Sequence, residues 1–199
     1  MMPARFQGWI AGIGTAAGLR CVVGHWQTSA LGAFTDVMVE QPDGLRVLLA
    51  PSDEVAAFVA ATYRFDQVRT VPVTVGRAGG RWTVEAGPLG LTFDVGRRPP
   101  LGYLLRAVPH RVATNTAWIT SVDLVARLAL PGVRTVGTAG GDRREYYAAL
   151  DLHRITATTV RWDGVDQGAL ARVDPPVRFG FGSTPKQPSL VRMVTVVRG

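Results

Sequence analysis

Glycine and proline cut this chain into short pieces, and that punctuation constrains the fold more than any motif does. Gln41-Pro42-Asp43-Gly44, Gly76-Arg77-Ala78-Gly79-Gly80, Gly87-Pro88 and Pro131-Gly132 recur between runs that alternate apolar and polar residues. Proline presets φ and glycine accepts the left-handed conformation, so each group reverses the chain between strands. There is no βαβ alternation. A largely antiparallel barrel or sandwich follows.

The clearest local unit is "TDVMVEQPDGLRVLLAP" (35 to 51), a β-hairpin. Ser52 then caps a helix over 53 to 63, with Asp53 and Glu54 in its first turn and Val55, Phe58, Val59 and Thr62 at helical spacing. From 67 to 95 the period returns to two, giving a meander of strands at 68–75, 81–86 and 89–95. Pro72 lacks an N–H to donate, which puts its strand at an edge or a bulge. Residues 99–109 read as a brief helix flanked by prolines.

The segment 114–130 fits a helix through Trp118, Val122, Val125 and Ala129, and a strand through Val122, Leu124, Ala126, Leu128 and Leu130. Its β-branched content and the following Pro131-Gly132 favour a strand from about 122. Strands at 133–138, 143–153, 154–162 and 189–198 follow. Residues 163–188, rich in Gly and Pro, form a long loop, a feature that is functional or disordered in compact domains. The expectation is one mainly β (α+β) domain over 1–199, with about nine strands and two short helices.

A chain of 199 residues with 47% hydrophobic and 19% charged content can bury roughly 70% of its unfolded surface in one core. Its one cysteine, Cys21, sits in the apolar run "LRCVVG" and reads as a small buried hydrophobe. With no second cysteine and only three scattered histidines, the usual zinc ligand sets are excluded. No metal, no cofactor and a reducing cytoplasmic setting are therefore expected. No run approaches the ~20 apolar residues of a membrane span, and the N-terminal apolar region is broken by glycines at 8, 12, 14 and 18. No membrane partner is expected.

Net charge is +7, from twenty-one arginines and one lysine, Lys186, against fifteen acids. Such a field attracts phosphates, anionic metabolites or acidic partners. The charges form no run: Arg97-Arg98 and the compensated Asp142-Arg143-Arg144-Glu145 are the densest groups.

"GIGTAAG" (12–18) has the glycines of a phosphate loop, but "LRCVVGHW" after it is strand-like rather than helical. "RFGFG" (178–182) resembles the core of an RNA-binding signature, in which Phe179 and Phe181 stack bases while arginine meets phosphate. The glycine that the signature carries after its basic residue is missing here after Arg178. Tucked against the core, the same rings are packing groups.

The strongest candidate site is "EYYAALDLHRITATTVRW" (145–162). At period two, Glu145, Tyr147, Ala149, Asp151 and His153 share one face, and Tyr146, Ala148, Leu150 and Leu152 the other. Facing water, this is an ordinary outer strand. Facing inward, it is a site: neighbours on one face are ~7 Å apart, so Asp151 can orient His153 and shift it toward proton transfer. Tyr147 and Ala149 are unusual on a wet face, and Trp118 and Trp162 flank the region. On the first hairpin, Asp36 and Glu40 share a face with Met38 between them, and that strand can meet 145–153 across a lumen. His25 and His110 have no comparable partners.

"GAFTDVMVEQPDGLRVLLAP", "RREYYAALDLHRITATTVRWDG" and "PPVRFGFGSTP" together resemble a bacterial family of small β-rich proteins without an assigned activity. The mix of hairpins and short helices is also similar to the acetoacetate-decarboxylase-like barrel. That family's paired active-site lysines have no counterpart here, so no catalytic residue is carried over.

The reading that follows is a β-barrel or sandwich holding a small carbonyl-bearing or anionic organic ligand, as a binder or as an acid–base enzyme. His153 would exchange the proton, Asp151 orient it and Tyr147 donate to a ligand oxygen. Glu145, Arg161, Asp36 and Glu40 would support binding, with loop 174–188 as a lid. The alternative is a nucleic-acid binder using arginines with Phe179 and Phe181, and a third is a module that pairs, as a homodimer for example, through an edge strand.

Overall fold

In a computed structural model, which describes residues 4–129, 135–139, 143–180 and 184–198, the punctuated runs become thirteen strands of one curled sheet. They are β1 (Ala4–Thr15), β2 (Arg20–Thr28), β3 (Phe34–Glu40), β4 (Arg46–Ala50), β5 (Gln67–Thr70), β6 (Val73–Ala78), β7 (Arg81–Ala86), β8 (Leu89–Val95), β9 (Val136–Ala139), β10 (Arg143–Trp162), β11 (Val165–Asp166), β12 (Leu170–Ala171) and β13 (Ser189–Arg198). Four helices accompany them: α1 (Asp53–Ala60), α2 (Pro100–Ala107), α3 (His110–Ala113) and α4 (Thr116–Ala129). The chain is mainly β, as expected, with more elements than nine strands and two helices.

The sheet runs β5-β4-β3-β2-β1-β13-β10-β8-β7-β6, with β9 and β11 on β10 and β12 on β1. Its pairings are antiparallel except β4 with β5. The path does not close, so the shape is a half-barrel whose outer strands are β5 and β6. One strand was expected over 68–75. Pro72 divides it instead: β5 ends at one edge of the sheet, and β6 begins at the other after only Val71 and Pro72.

Inside the curl, alternate residues of the two wings pack together. Val23, Val37 and Leu49 from one meet Val84, Leu91 and Phe93 from the other, all at 1% exposure or less. Each such side chain contributes roughly 2 kcal/mol by leaving water. Trp82, Val84 and Ala86 alternate inward as their spacing predicts.

The first hairpin forms as expected. Gly44 takes φ +92°, and the Asp43 carboxylate accepts from the Leu45 N–H at 2.9 Å. Ser52 Oγ then accepts from the Val55 N–H at 3.3 Å and starts α1. That helix lays Val55, Ala56 and Val59 on Phe6, Leu48 and Ala50, which line the other face of the sheet.

The strand expected from about 122 is helix α4. Asn115 Oδ1 accepts from the Ala117 N–H at 2.9 Å and begins it. Ile119 and Asp123, one turn apart, are buried, and the Asp123 carboxylate accepts from Thr135 N at 2.7 Å and Thr135 Oγ1 at 2.9 Å. A cap and a tertiary anchor outweigh the β-branched propensity. The exposed Trp118 does not mark the packed face.

Residues 143–162 are one strand rather than two. β10 pairs with β13 through its first half and with β8 through its second, bending at two register shifts between Ala149 and Asp151 and between Ile155 and Ala157.

Candidate functional site

The first shift decides the site. Ala149 lies opposite Met193 and Asp151 opposite Arg192, so Leu150 is an extra residue with no partner on β13. An unmatched residue in a strand reverses its alternation. Glu145, Tyr147 and Ala149 share a face with Val197, Thr195 and Met193, whereas Asp151 and His153 share the opposite face with Arg192 and Leu190. The common face expected from period two is therefore divided, and Tyr147 does not meet Asp151 and His153.

On the α1 side, Glu145 is 2% exposed. Its Oε2 lies within hydrogen-bonding reach of the Tyr147 hydroxyl at 2.8 Å and the Tyr63 hydroxyl at 3.1 Å, and the two phenol oxygens also touch, so two phenolic protons are shared among three contacts. Tyr63 comes from the turn after α1, fixed by Tyr63 N–H to Val59 O at 2.9 Å and Arg64 N–H to Phe179 O at 2.8 Å. Burial pushes the Glu145 carboxyl up, against the two phenol bonds that lower it. Burial likewise pushes both phenols well above their ordinary value, so they are donors at neutral pH.

Asp36, on β3, faces the same space four strands along the sheet. It is 3% exposed and accepts from the Trp26 indole N–H at 3.1 Å. Burial raises its carboxyl to about 7, against the lowering effect of that bond. Gly24 makes the room: a Cβ there would lie 2.7 Å from Asp36 Oδ1 and 2.9 Å from Trp26 Nε1.

Between these groups lies a cavity of about 50 Å³, walled by apolar side chains such as Phe6, Ile10, Val22, Met38 and Phe58. Thr195, directly opposite Tyr147 on β13, also lines it. Its hydroxyl is buried with no hydrogen-bond partner among the described residues. Asp36, Trp26, Tyr63, Glu145, Tyr147 and Thr195 thus bring a polar set into an apolar hollow, a combination typical of small-ligand sites. Among the described residues that line it there is no arginine, lysine or histidine.

On the opposite face, Arg98 grips Asp151 with both arms of its guanidinium, Nε to Oδ1 at 2.6 Å and Nη2 to Oδ2 at 2.8 Å. Burial raises the Asp151 carboxyl, but the Arg98 bonds more than offset it and hold it below the usual carboxylate range. His153 places Nε2 3.2 Å from Arg98 Nη2 and Nδ1 3.2 Å from Gly96 O. These partners fit the neutral tautomer with its proton on Nδ1. His153 Nε2 is 3.5 Å from Asp151 Oδ2, so Arg98 is the closer partner of both. The cluster pins the entry to α2, whose Gly102 packs so close that a Cβ would lie 2.3 Å from Leu152 O.

The other expected residues lie apart. Glu40, fully buried, pairs with Arg20 at 3.2 Å and Arg178 at 2.9 Å and accepts from the Arg178 N–H at 2.8 Å, which fastens 175–179 to the sheet. Arg161 is exposed near the end of β10. Phe179 is 3% exposed with its ring 5.6 Å from that of Phe65, so it is a packing group and not a stacking platform. Phe181 lies outside the described residues. In the loop expected as a lid over 174–188, Val177 and Phe179 are buried and Val173 N–H bonds Lys186 O at 2.9 Å, while residues 181–183 lie outside the described residues. Cys21 is fully buried, its thiol pushed up to about 12 by burial.

Sequence reasoning named Asp36, Glu145 and Tyr147 but missed Tyr63, Trp26, Thr195 and Arg98. Tyr63 lies within the expected helix, and nothing local marks it as the partner of residues more than eighty positions away. A second hollow beside Ala78, Gly80, Arg81, Asp94 and Val95 opens broadly to solvent, and its charged pair, Arg81 and Asp94, satisfies itself at 2.7 Å. Among the described residues no group of three His, Cys, Asp or Glu side chains is placed to hold a metal ion, and no helix is long and apolar enough to cross a membrane.

The class defined by this geometry is a β-rich half-barrel with a buried carboxyl–phenol cavity. No protein-family model matches the chain, and no curated protein matches it in sequence. Among solved structures it has a distant likeness to the acetoacetate decarboxylase fold. The acetoacetate decarboxylase of Legionella pneumophila aligns at 9% identity and TM-score 0.46, covering 98% of this chain and 84% of that one. A second acetoacetate decarboxylase structure aligns at 12% identity and TM-score 0.40, covering 99% and 87%.

Proposed function

We propose that the cavity between α1 and the sheet binds a small, neutral, carbonyl-bearing organic molecule and that its carboxyls and phenols handle that molecule's protons. The observation that carries this reading is the convergence of Asp36, Tyr63, Glu145 and Tyr147 on one apolar hollow with no cation among the described residues that line it. An anionic ligand would be repelled by Glu145 and by Asp36 once ionised. A neutral carbonyl oxygen, by contrast, can take over a phenol hydrogen bond that Glu145 now receives. The hollow suits a ligand of a few heavy atoms. Asp151 and His153 belong in this reading to the α2 anchor rather than to the site.

The test is a binding screen by saturation-transfer NMR, with C3 to C6 ketones, aldehydes and carboxylates against the intact chain. Neutral carbonyl compounds should bind and carboxylates should not. Tyr147→Phe should weaken binding about tenfold, the size of one lost hydrogen bond, and His153→Ala should leave it unchanged. Preferential binding of carboxylates, or indifference to Tyr147→Phe, overturns the reading.

A further inference from the structure

We infer that the chemistry of this cavity is enolisation of a short neutral ketone or aldehyde: Glu145 removes a proton from the carbon beside the carbonyl, and Asp36 protonates the carbonyl oxygen. The inference rests on the small-carbonyl reading above and adds the reaction.

The lining side chains narrow the chemistry. The cavity offers two carboxyls, two phenols, an indole N–H and the Thr195 hydroxyl, with no serine, cysteine, lysine or histidine among the described residues that line it. A set of acids with fixed hydrogen-bond donors is equipped to move protons. The carboxyls are also differentiated. Glu145 meets both phenols through Oε2, which orients the group and directs Oε1 to the remaining task. Asp36 receives the Trp26 indole bond and one from its own backbone N–H, and burial keeps much of it protonated at neutral pH. Two carboxyls with different environments supply a base and an acid at one pH.

Thr195 is the independent sign of a ligand. Its hydroxyl is buried beside Tyr147 without a partner among the described residues, which costs stability unless something bound there satisfies it. A ligand oxygen meets that need.

The step balances without a further reactant. Glu145 takes the proton from the α carbon, and the C–H electron pair becomes a C=C bond. The carbonyl π pair moves to oxygen, which takes the Asp36 proton. The products are the enol, a protonated Glu145 and an ionised Asp36. Once Glu145 has traded its proton for a solvent deuteron, return to the same carbon while Asp36 takes back the enol proton restores both groups and gives an exchanged carbonyl compound. Where the α carbon carries a hydroxyl, as in hydroxyacetone, delivery to the former carbonyl carbon while Asp36 takes that hydroxyl's proton gives the isomer.

The experiment is α-proton exchange in D₂O near neutral pH, with acetone, butanone, hydroxyacetone and propanal as probes, followed by ¹H NMR beside a binding measurement. At least one probe that binds should exchange its α protons faster than buffer alone. Glu145→Gln should lose about 10²-fold or more of that rate while the probe still binds, since this is the scale of one acid–base group. Asp36→Asn should lose about tenfold and remove the alkaline limb of the pH profile, since a general acid loses its proton as pH rises through about 7. Should Glu145→Gln fail to fold, the same loss in Glu145→Asp, which retracts the carboxyl, takes its place. Binding without exchange overturns enolisation and leaves the binding reading standing. Absence of binding by every probe overturns both.

Discussion

Two polar clusters lie six residues apart on β10, yet they sit in opposite electrostatic conditions. Asp151 is held by both arms of Arg98 and carries its charge easily. Glu145 is held by two neutral phenols and carries its charge at a cost. The chemical groups are similar, and the partner makes the difference. A carboxylate that meets a guanidinium becomes a fastening, whereas one that meets phenols in an apolar hollow is left the more basic. Which partner each meets is set by Leu150, the unmatched residue that turns the strand's alternation over.

The contrast is broken most severely by deleting Leu150. Without it, either Glu145 and Tyr147 or Asp151 and His153 must face the wrong side, so we expect a loss of roughly 4 kcal/mol or more, read by urea denaturation. An unchanged midpoint would show that the shift does not hold the two faces apart.

Asp36→Asn sharpens the contrast from the uncompensated side. Its carboxyl stands at about 7 in the folded chain against an ordinary 3.8, so the folded protein keeps a proton that the unfolded chain gives up. Stability on this account falls as pH rises from about 4 to about 7 and is level above. The asparagine variant should be the more stable at pH 8, by on the order of 3 kcal/mol, and should lose that advantage by pH 4. Thermal melts across this range decide it.

Asp151→Asn should do the reverse and less. Its carboxyl is lowered in the folded state, so its stabilisation is present above the unfolded pKa and fades as pH falls through the folded one. The variant should cost about 1 kcal/mol at pH 7, allowing for solvent around the pair, and progressively less as pH falls below the ordinary carboxylate range. Equal slopes for the two variants would erase the distinction between the clusters.

Much of the fold was legible because its causes are local. The 35–51 hairpin follows from Pro42 and Gly44, α1 from the Ser52 cap, and the inward face of β7 from strict alternation. The helix at 116–129 was legible in principle, through Asn115, but β-branched residues masked it. The site was legible only in halves. Asp36, Glu145 and Tyr147 showed themselves as polar residues on otherwise apolar strand faces. The grouping with Asp151 and His153 was not legible, because the reversal at Leu150 depends on how β13 pairs with β10, and β13 begins nearly forty residues later. Tyr63, Thr195 and Arg98 act only through contacts that the fold brings about.

Val71 and Pro72 carry a mechanical consequence. Because they join the two outermost strands, the gap in the half-barrel is spanned by covalent bonds where a closed barrel would use a ladder of hydrogen bonds. Three peptide steps reach roughly 10 Å at full stretch, so the outer strands stay tethered at that end however far they breathe. Cleavage of that dipeptide would free the two margins to part while leaving every ladder of the sheet intact.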